Sequence, residues 1–187
     1  MSVETINKTE IPPVWISVSN KQNDINPSGF KYTEINTKED LENSLKYDHL
    51  FCEVKDGYRD GKNFNQTGVL WGDIDNNHED QDKWVTIEDF KERFKGYRWI
   101  LYTSKSHQTE KDGKKSRDKF HVMFPIDSLV KNGEEVKELH SRLYDSWSGV
   151  FYESVKDPSH FFFGTDDCCK RVEYNLDGEC ITKYKQS

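Results

Sequence analysis

The hydrophobic pattern of the chain changes character near residue 68. Before it, apolar positions are sparse. Val14–Val18 alternates apolar and polar residues and predicts a strand, while Ser19–Gly29, rich in Asn, Ser, Pro and Gly, predicts a loop. Thr37 and Asp40 resemble a capping box that opens a short helix with Leu41 and Leu45 on one face. Leu50–Val54 reads as a strand, and the polar stretch Asp56–Gly68 divides an N-terminal module (1–65) from the remainder (66–187). Beyond it the apolar runs strengthen. Val69–Asp75 is a strand ending in carboxylates, followed by an acidic loop, Asn76–Lys83. Thr86 and Asp89 repeat the capping pattern before a helix with Ile87, Phe90 and Phe94 in one stripe. Trp99–Thr103 and Phe120–Pro125 are strands flanking a long polar loop. Glu134–Trp147 is a helix with Val136, Leu139 and Leu143 inward, Phe161–Phe163 a short buried strand, and Glu173–Tyr184 a hairpin turning at Leu176-Asp177-Gly178. The resulting order β-α-β-β-α-β predicts an α+β, RRM-like palm, the split β-α-β arrangement, behind an N-terminal α/β accessory module.

Of 187 residues, 33% are hydrophobic and 13% aromatic, so rings carry much of a lean core. A formal net charge of −7 excludes a uniformly basic nucleic-acid binder. Between Lys91 and His121, however, ten Lys and Arg stand against four Asp and Glu. That suits a solvated face, or a basic groove beside an acidic, metal-collecting site. No apolar run approaches the ~20 residues that span a bilayer. Met1–Pro13 lacks the basic-then-apolar pattern of a secretory signal. A cytoplasmic protein with reduced Cys52, Cys168, Cys169 and Cys180, and no membrane partner, is the expectation.

Three blocks offer chemistry. Asp73 and Asp75 stand two apart on a strand, so both carboxylates leave one face with ~6.5–7 Å between their Cα atoms. They can share hard divalent cations, or simply form a solvated strand end. In Lys119–Phe124 the same alternation puts Lys119, His121 and Met123 on one face and Phe120, Val122 and Phe124 on the other. A cation beside an imidazole suits phosphate, with Ser104, Ser106, His107 and Arg117 nearby in sequence; a histidine bonded within the sheet is the plainer alternative. In the third block, Phe151–Gly164, Glu153 and Asp157 could add a metal ligand, or Asp157 could cap a turn.

Together these blocks resemble the catalytic core of the archaeo-eukaryotic primase superfamily, in particular its phage and plasmid primase-polymerases. The family's acidic strand motif is matched by Asp73 and Asp75, and its histidine opening a hydrophobic strand by His121, with Lys119 two residues earlier. Tyr102–His107 before a basic loop also looks like that group. The third motif is present as Asp157-Pro158-Ser159, but His160 stands where Arg is usual and Tyr152 where the family has Asp. The resemblance covers Val69–Gly164. It implies a DNA primase/polymerase that makes or extends primers by template-directed, two-metal nucleotidyl transfer in phage, plasmid or mobile-element replication. Its partners would be single-stranded DNA, NTP or dNTP and a replicative helicase. On this reading Asp73, Asp75 and His121 are catalytic. Mg²⁺ or Mn²⁺ sits on Asp73 and Asp75, with Asp157 as substitute third ligand. Ser104, Ser106, His107, Arg117, Lys119 and His121 bind nucleotide, and Lys105, Lys111, Lys114 and Lys115 follow the template.

Two other readings compete. A degenerate domain could hold nucleotide or single-stranded DNA without turnover, and the altered third motif favours it. A rolling-circle initiator nicking DNA through Tyr152 would share the Tyr152/Lys156 spacing, but such enzymes use two histidines one residue apart, and the sequence has none so placed.

Overall fold

β-branched and aromatic runs build nine strands and three helices among the residues that the computed structural model describes, 10–110, 113, 115–152, 156–164, 166 and 171–183. The fold is mixed α/β with two antiparallel sheets. The first has the order β2-β1-β3-β8, from β1 (Glu10–Val18), β2 (Lys31–Thr37), β3 (His49–Leu50) and β8 (Phe161–Phe162). The second has the order β4-β5-β7-β6-β9, from β4 (Glu53–Val54), β5 (Phe64–Ile74), β6 (Trp99–Thr103), β7 (Phe120–Val130) and β9 (Val172–Asn175). None of the described helices is long and apolar enough to cross a membrane.

Caps set the helix starts. Thr37 accepts from the Asp40 amide at the head of α1 (Lys38–Leu45), whose buried residues are Leu41 and Leu45. Thr86 and Asp89 form a reciprocal capping box on α2 (Ile87–Arg93), and Asn132 caps α3 (Gly133–Ser146). The five-stranded sheet is packed on both faces. On one, Val69, Trp71, Ile100, Tyr102 and Met123 meet Ile16, Leu50 and Phe51 of the first sheet and its connections. On the other, Leu70, Ile74, Leu101, Phe120, Val122 and Phe124 meet Ile87, Phe90 and Phe94, with Leu143 of α3. Period-two alternation produces this division.

β5 and β6 both pair antiparallel with β7, so they run parallel to each other with β7 between them and α2 as their connection. This is a split β-α-β unit. Three expectations need correcting. Phe161–Phe163 does not close this sheet: β8 pairs with β3 in the other one, where Phe162 stacks on His49. The edge beyond β6 is taken instead by β9. Leu50–Val54 is not one strand, because the chain crosses between sheets at Phe51–Cys52. The carbonyls there are satisfied by the Thr67 and Ser17 hydroxyls, each at 2.6 Å, rather than by a ladder. The C-terminal hairpin is also replaced. After β9 the chain turns at Gly178 against the Tyr97 backbone, Glu179 bridges Tyr97 in parallel, and Ile181–Lys183 forms a 3-10 turn.

Gly72, between the buried Trp71 and the carboxylate strand end, has no room for a side chain: a Cβ would enter the Phe151 ring. Gly72→Ala should therefore destabilise the protein by ~1–3 kcal/mol, the usual cost of overpacking. Urea unfolding measures this, and a wild-type midpoint would show that Phe151 yields without cost.

Candidate active site

The register of β5 on β7 places Asp73 directly opposite His121. Asp73 shares its face with Val69 and Trp71, and His121 shares its face with Met123, all on the side toward the first sheet. His121 Nδ1 lies 3.1 Å from Asp73 Oδ1, an ion-pair contact poorly aligned for a hydrogen bond. One step outward, Lys119 Nζ lies 2.9 Å from Asp75 Oδ1, and the Asn77 amide donates to Asp75 Oδ2 at 3.1 Å. Two carboxylates, an ammonium and an imidazole thus meet at one strand end. Asp73 and Asp75 remain partly open, at 31% and 27% side-chain exposure.

Burial pushes the Asp73 carboxyl upward. The His121 ring beside it, His160 and Lys119 together more than offset this, and the group lies below its ordinary value of 3.8. His160 rests edge-on against Phe162 at 4.8 Å, and Phe162 touches the His121 ring at the same distance. Tyr102, beside His121 across β6 and β7, bonds to the buried His49 at 2.7 Å. His49 also contacts the Tyr47 carbonyl at 2.8 Å. Burial drives His49 down to about 4, against an upward pull from the Tyr47 bond. The ring is neutral at physiological pH. His140 of α3, packed 4.4 Å from Trp71, is likewise held neutral by burial, at about 3.

Beyond β5 the chain turns through Asn76, whose φ of 49° is left-handed, a region Asn tolerates. Buried Asn76 donates to the Val85 and Asp118 carbonyls and accepts from the Val85 amide. Asp118 in turn accepts from the Ile87 amide at the head of α2. Arg117 is buried, with Nε bonded to the Asp75 carbonyl, Nη1 to the Lys115 carbonyl and Nη2 to Asn77. Its guanidinium braces the loop behind the carboxylates. Ser104 and His107 form a turn against the Lys119 backbone: the Ser104 amide donates to the Lys119 carbonyl, and His107 Nδ1 accepts from the Lys119 amide. Half-buried Ser106 lies in the same turn. Lys105 and Lys115 are exposed, and Lys105 Nζ reaches Asn23 across to the N-terminal module at 2.8 Å. Lys111, Lys114 and Glu153 lie outside the described residues.

Asp157 is held in its own turn, accepting from the Ser159 amide and hydroxyl at 2.9 and 2.8 Å. Tyr152, by contrast, runs beside the site: its amide donates to the Asp73 carbonyl at 2.8 Å, and its ring is 52% exposed. Tyr152 also helps line a cleft of about 220 Å³ with Asp75, Asn76, Asn77 and His78. Among the described residues, no group of three or more His, Cys, Asp or Glu side chains converges as a metal site. Asn76, Asn77, His49 and Phe162 carry no motif. The Asn76-Asn77 pair after the strand signals a turn, but nothing in the sequence tells what that turn holds.

No family model matches the chain, and no curated protein matches it. Among solved structures, the AEP domain of the cyanophage S-2L primase-polymerase (PrimPol) is similar, with 14% sequence identity and a TM-score of 0.42 over 90% of this chain and 83% of that one.

The lowered Asp73 pKa carries a sign. A carboxyl depressed by folding contributes stability that is complete above 3.8 and is lost as pH falls through its folded value. The stability gap between wild type and Asp73→Asn should therefore narrow as pH falls below 3.8 and through the folded value, measured by urea titration in EDTA. A constant gap would show that His121 does not stabilise the ionised carboxylate.

Proposed function

We propose that this chain is a template-directed nucleotidyltransferase of the primase-polymerase kind, making or extending primers on single-stranded DNA. One observation carries the reading: the register that sets Asp73 against His121 also brings Asp75 and Lys119 together at the same strand end. The motif resemblance over Val69–Gly164 supports it.

Two part-exposed carboxylates fit a hard cation that takes its remaining ligands from water and phosphate oxygens. Mg²⁺ or Mn²⁺ on Asp73 and Asp75 would neutralise charge on the triphosphate and the attacking oxygen. The chain's own part is positioning. Lys119, a mobile point charge, exchanges Asp75 for a phosphate oxygen. His121 is held beside that oxygen by Tyr102 and Phe162. Arg117, Asn76 and Asn77 keep the loop rigid, so Asp75 is presented in one orientation. The exposed Lys105 and Lys115 follow the template backbone, a contact that weakens with salt.

A specific observation favours a second reading, nucleotide or single-strand binding without turnover. Asp157 is committed to its turn and Tyr152 offers a phenol where the family has an acid, so a second cation has few ligands. Primer synthesis on single-stranded DNA with Mn²⁺ and labelled nucleotides, run beside primer extension, separates the two readings.

Asp73→Ala with Asp75→Ala should abolish nucleotidyl transfer in both assays while the thermal unfolding profile stays cooperative. Retained extension by the folded double variant would refute the metal assignment. Because the Tyr152 amide is bonded to Asp73, Tyr152→Asp places a carboxylate beside the pair. It should tighten Mn²⁺ binding by calorimetry and raise or create extension activity. Unchanged affinity and activity in a folded Tyr152→Asp protein would mean that this position does not serve the site.

A further inference from the structure

We propose that the outer face of β8 is a stacking surface for the unpaired bases of a single-stranded nucleic acid, an inference that rests on the nucleotidyltransferase reading. β8 is the edge strand of the first sheet, and its residues alternate. Phe162 turns inward onto His49 and His121. Phe161 lies on the opposite side, half-buried edge-on against the core ring of Phe30, and Phe163, the residue after the strand, meets it edge-on at 4.8 Å and is 48% exposed. The Arg59 guanidinium lies over the Phe161 ring at 4.9 Å, and its buried Nε has no hydrogen-bond partner.

A buried carboxylate fixes the backbone beside Phe163. Asp48 accepts from the amides of Asn23, Asp24 and Gly164. Phe163 is thereby tied to the loop whose Asn23 side chain holds Lys105 Nζ. Contacts thus link Lys105 through Asn23 and Asp48 to the backbone beside Phe163, and Arg59 to Phe161, so each ring has a cation tied to its surroundings. Rings spaced among cations are what an unpaired strand needs, since bases stack on the rings while phosphates meet the charges. A duplex hides its base faces and gains only the charges. A protein partner would want a far larger buried area, ~800 Å² on each side, than one exposed ring and its neighbour supply. The position also suits a template, because Phe162, the residue before Phe163, is the ring packed on His121.

The test is fluorescence anisotropy of the full chain with a labelled oligothymidylate of ~20 nucleotides, without nucleotide and in EDTA. Phe163→Ala should weaken binding roughly five- to a hundred-fold, the range for losing one stacked base, and Phe163→Trp should restore it. An abasic oligonucleotide of equal length should bind Phe163→Ala like wild type, whereas Arg59→Gln should weaken both ligands. Wild-type affinity in Phe163→Ala overturns the proposal, as does an equal loss for the abasic strand or a wild-type protein that binds no oligonucleotide. Self-association abolished by Phe163→Ala, without oligonucleotide binding, would assign the surface to a second copy instead. The two readings fail separately. Intact oligonucleotide binding by Phe163→Ala, beside lost transfer in Asp73→Ala with Asp75→Ala, removes only the surface. The converse pair of results removes only the metal assignment.

Discussion

A slip of one residue between β5 and β7 would turn every side chain of the slipped strand to the opposite face and set a phenylalanine or valine against Asp73. What prevents it is packing on both sides of the sheet. Phe120, Val122 and Phe124 fill the space under α2, while Trp71 and Met123 fill the space under the first sheet. Gly72 adds a third lock, since only a residue without a Cβ lets Phe151 lie on that point of β5. The carboxylate–cation contacts at the strand end are consequences of this core. Asp73 meets His121 because Val122 and Phe124 are buried where they are.

The first sheet matters to the same contacts from the other side. His49 and Phe162 come from two short strands of that sheet, yet they pack beneath Tyr102 and His121 of the second. The chemistry of His49 fixes its tautomer. A ring nitrogen facing the Tyr47 carbonyl must donate, so Nε2 accepts from the Tyr102 hydroxyl. A neutral ring there adds no charge beneath His121. The first sheet is therefore a floor for the site as well as a neighbour to it; the chain leaves it at Phe51–Cys52 and returns to it at β8.

Much of this was legible in the sequence. The alternation in Val69–Asp75 and Phe120–Phe124, the two Thr-x-x-Asp caps and the apolar stripes of the helices each report a local period, and the structure has those elements. What escaped was information that no period carries. β2 buries only Ile35 fully along seven residues, so its pattern is too weak to register as a strand. Phe161–Phe163 is apolar enough to predict burial but too short to say which sheet will take it. The break at Phe51–Cys52 depends on hydroxyls of Ser17 and Thr67, distant in sequence. Within the site, the residue types of the strands were readable. The bracing by Asn76, Asn77 and Asp118 was not, because Asn and Asp signal a turn equally well whatever that turn goes on to hold.

The basic segment shows why a count of charges is a poor guide to what they do. Lys91 pairs with Glu88 and with Glu173 of β9, and Lys95 with Glu92, as ordinary surface ion pairs. Arg117 has each of its three nitrogens bonded to a protein oxygen, so its charge steadies a loop and leaves little donor capacity for a ligand. Lys119 differs. Its ammonium has three donors, one on Asp75 at 2.9 Å and a longer one on Asn77 at 3.5 Å, and it sits on a flexible stem at the mouth of the strand. A rigid fork with every nitrogen already committed to the fold and a point charge on a flexible stem, held by Asp75 and at longer range by Asn77, respond differently when a multiply charged anion arrives. Only the second can leave its partner without dismantling the loop. The distinction between bracing and exchangeable cations follows from donor geometry and from which strand each side chain stands on.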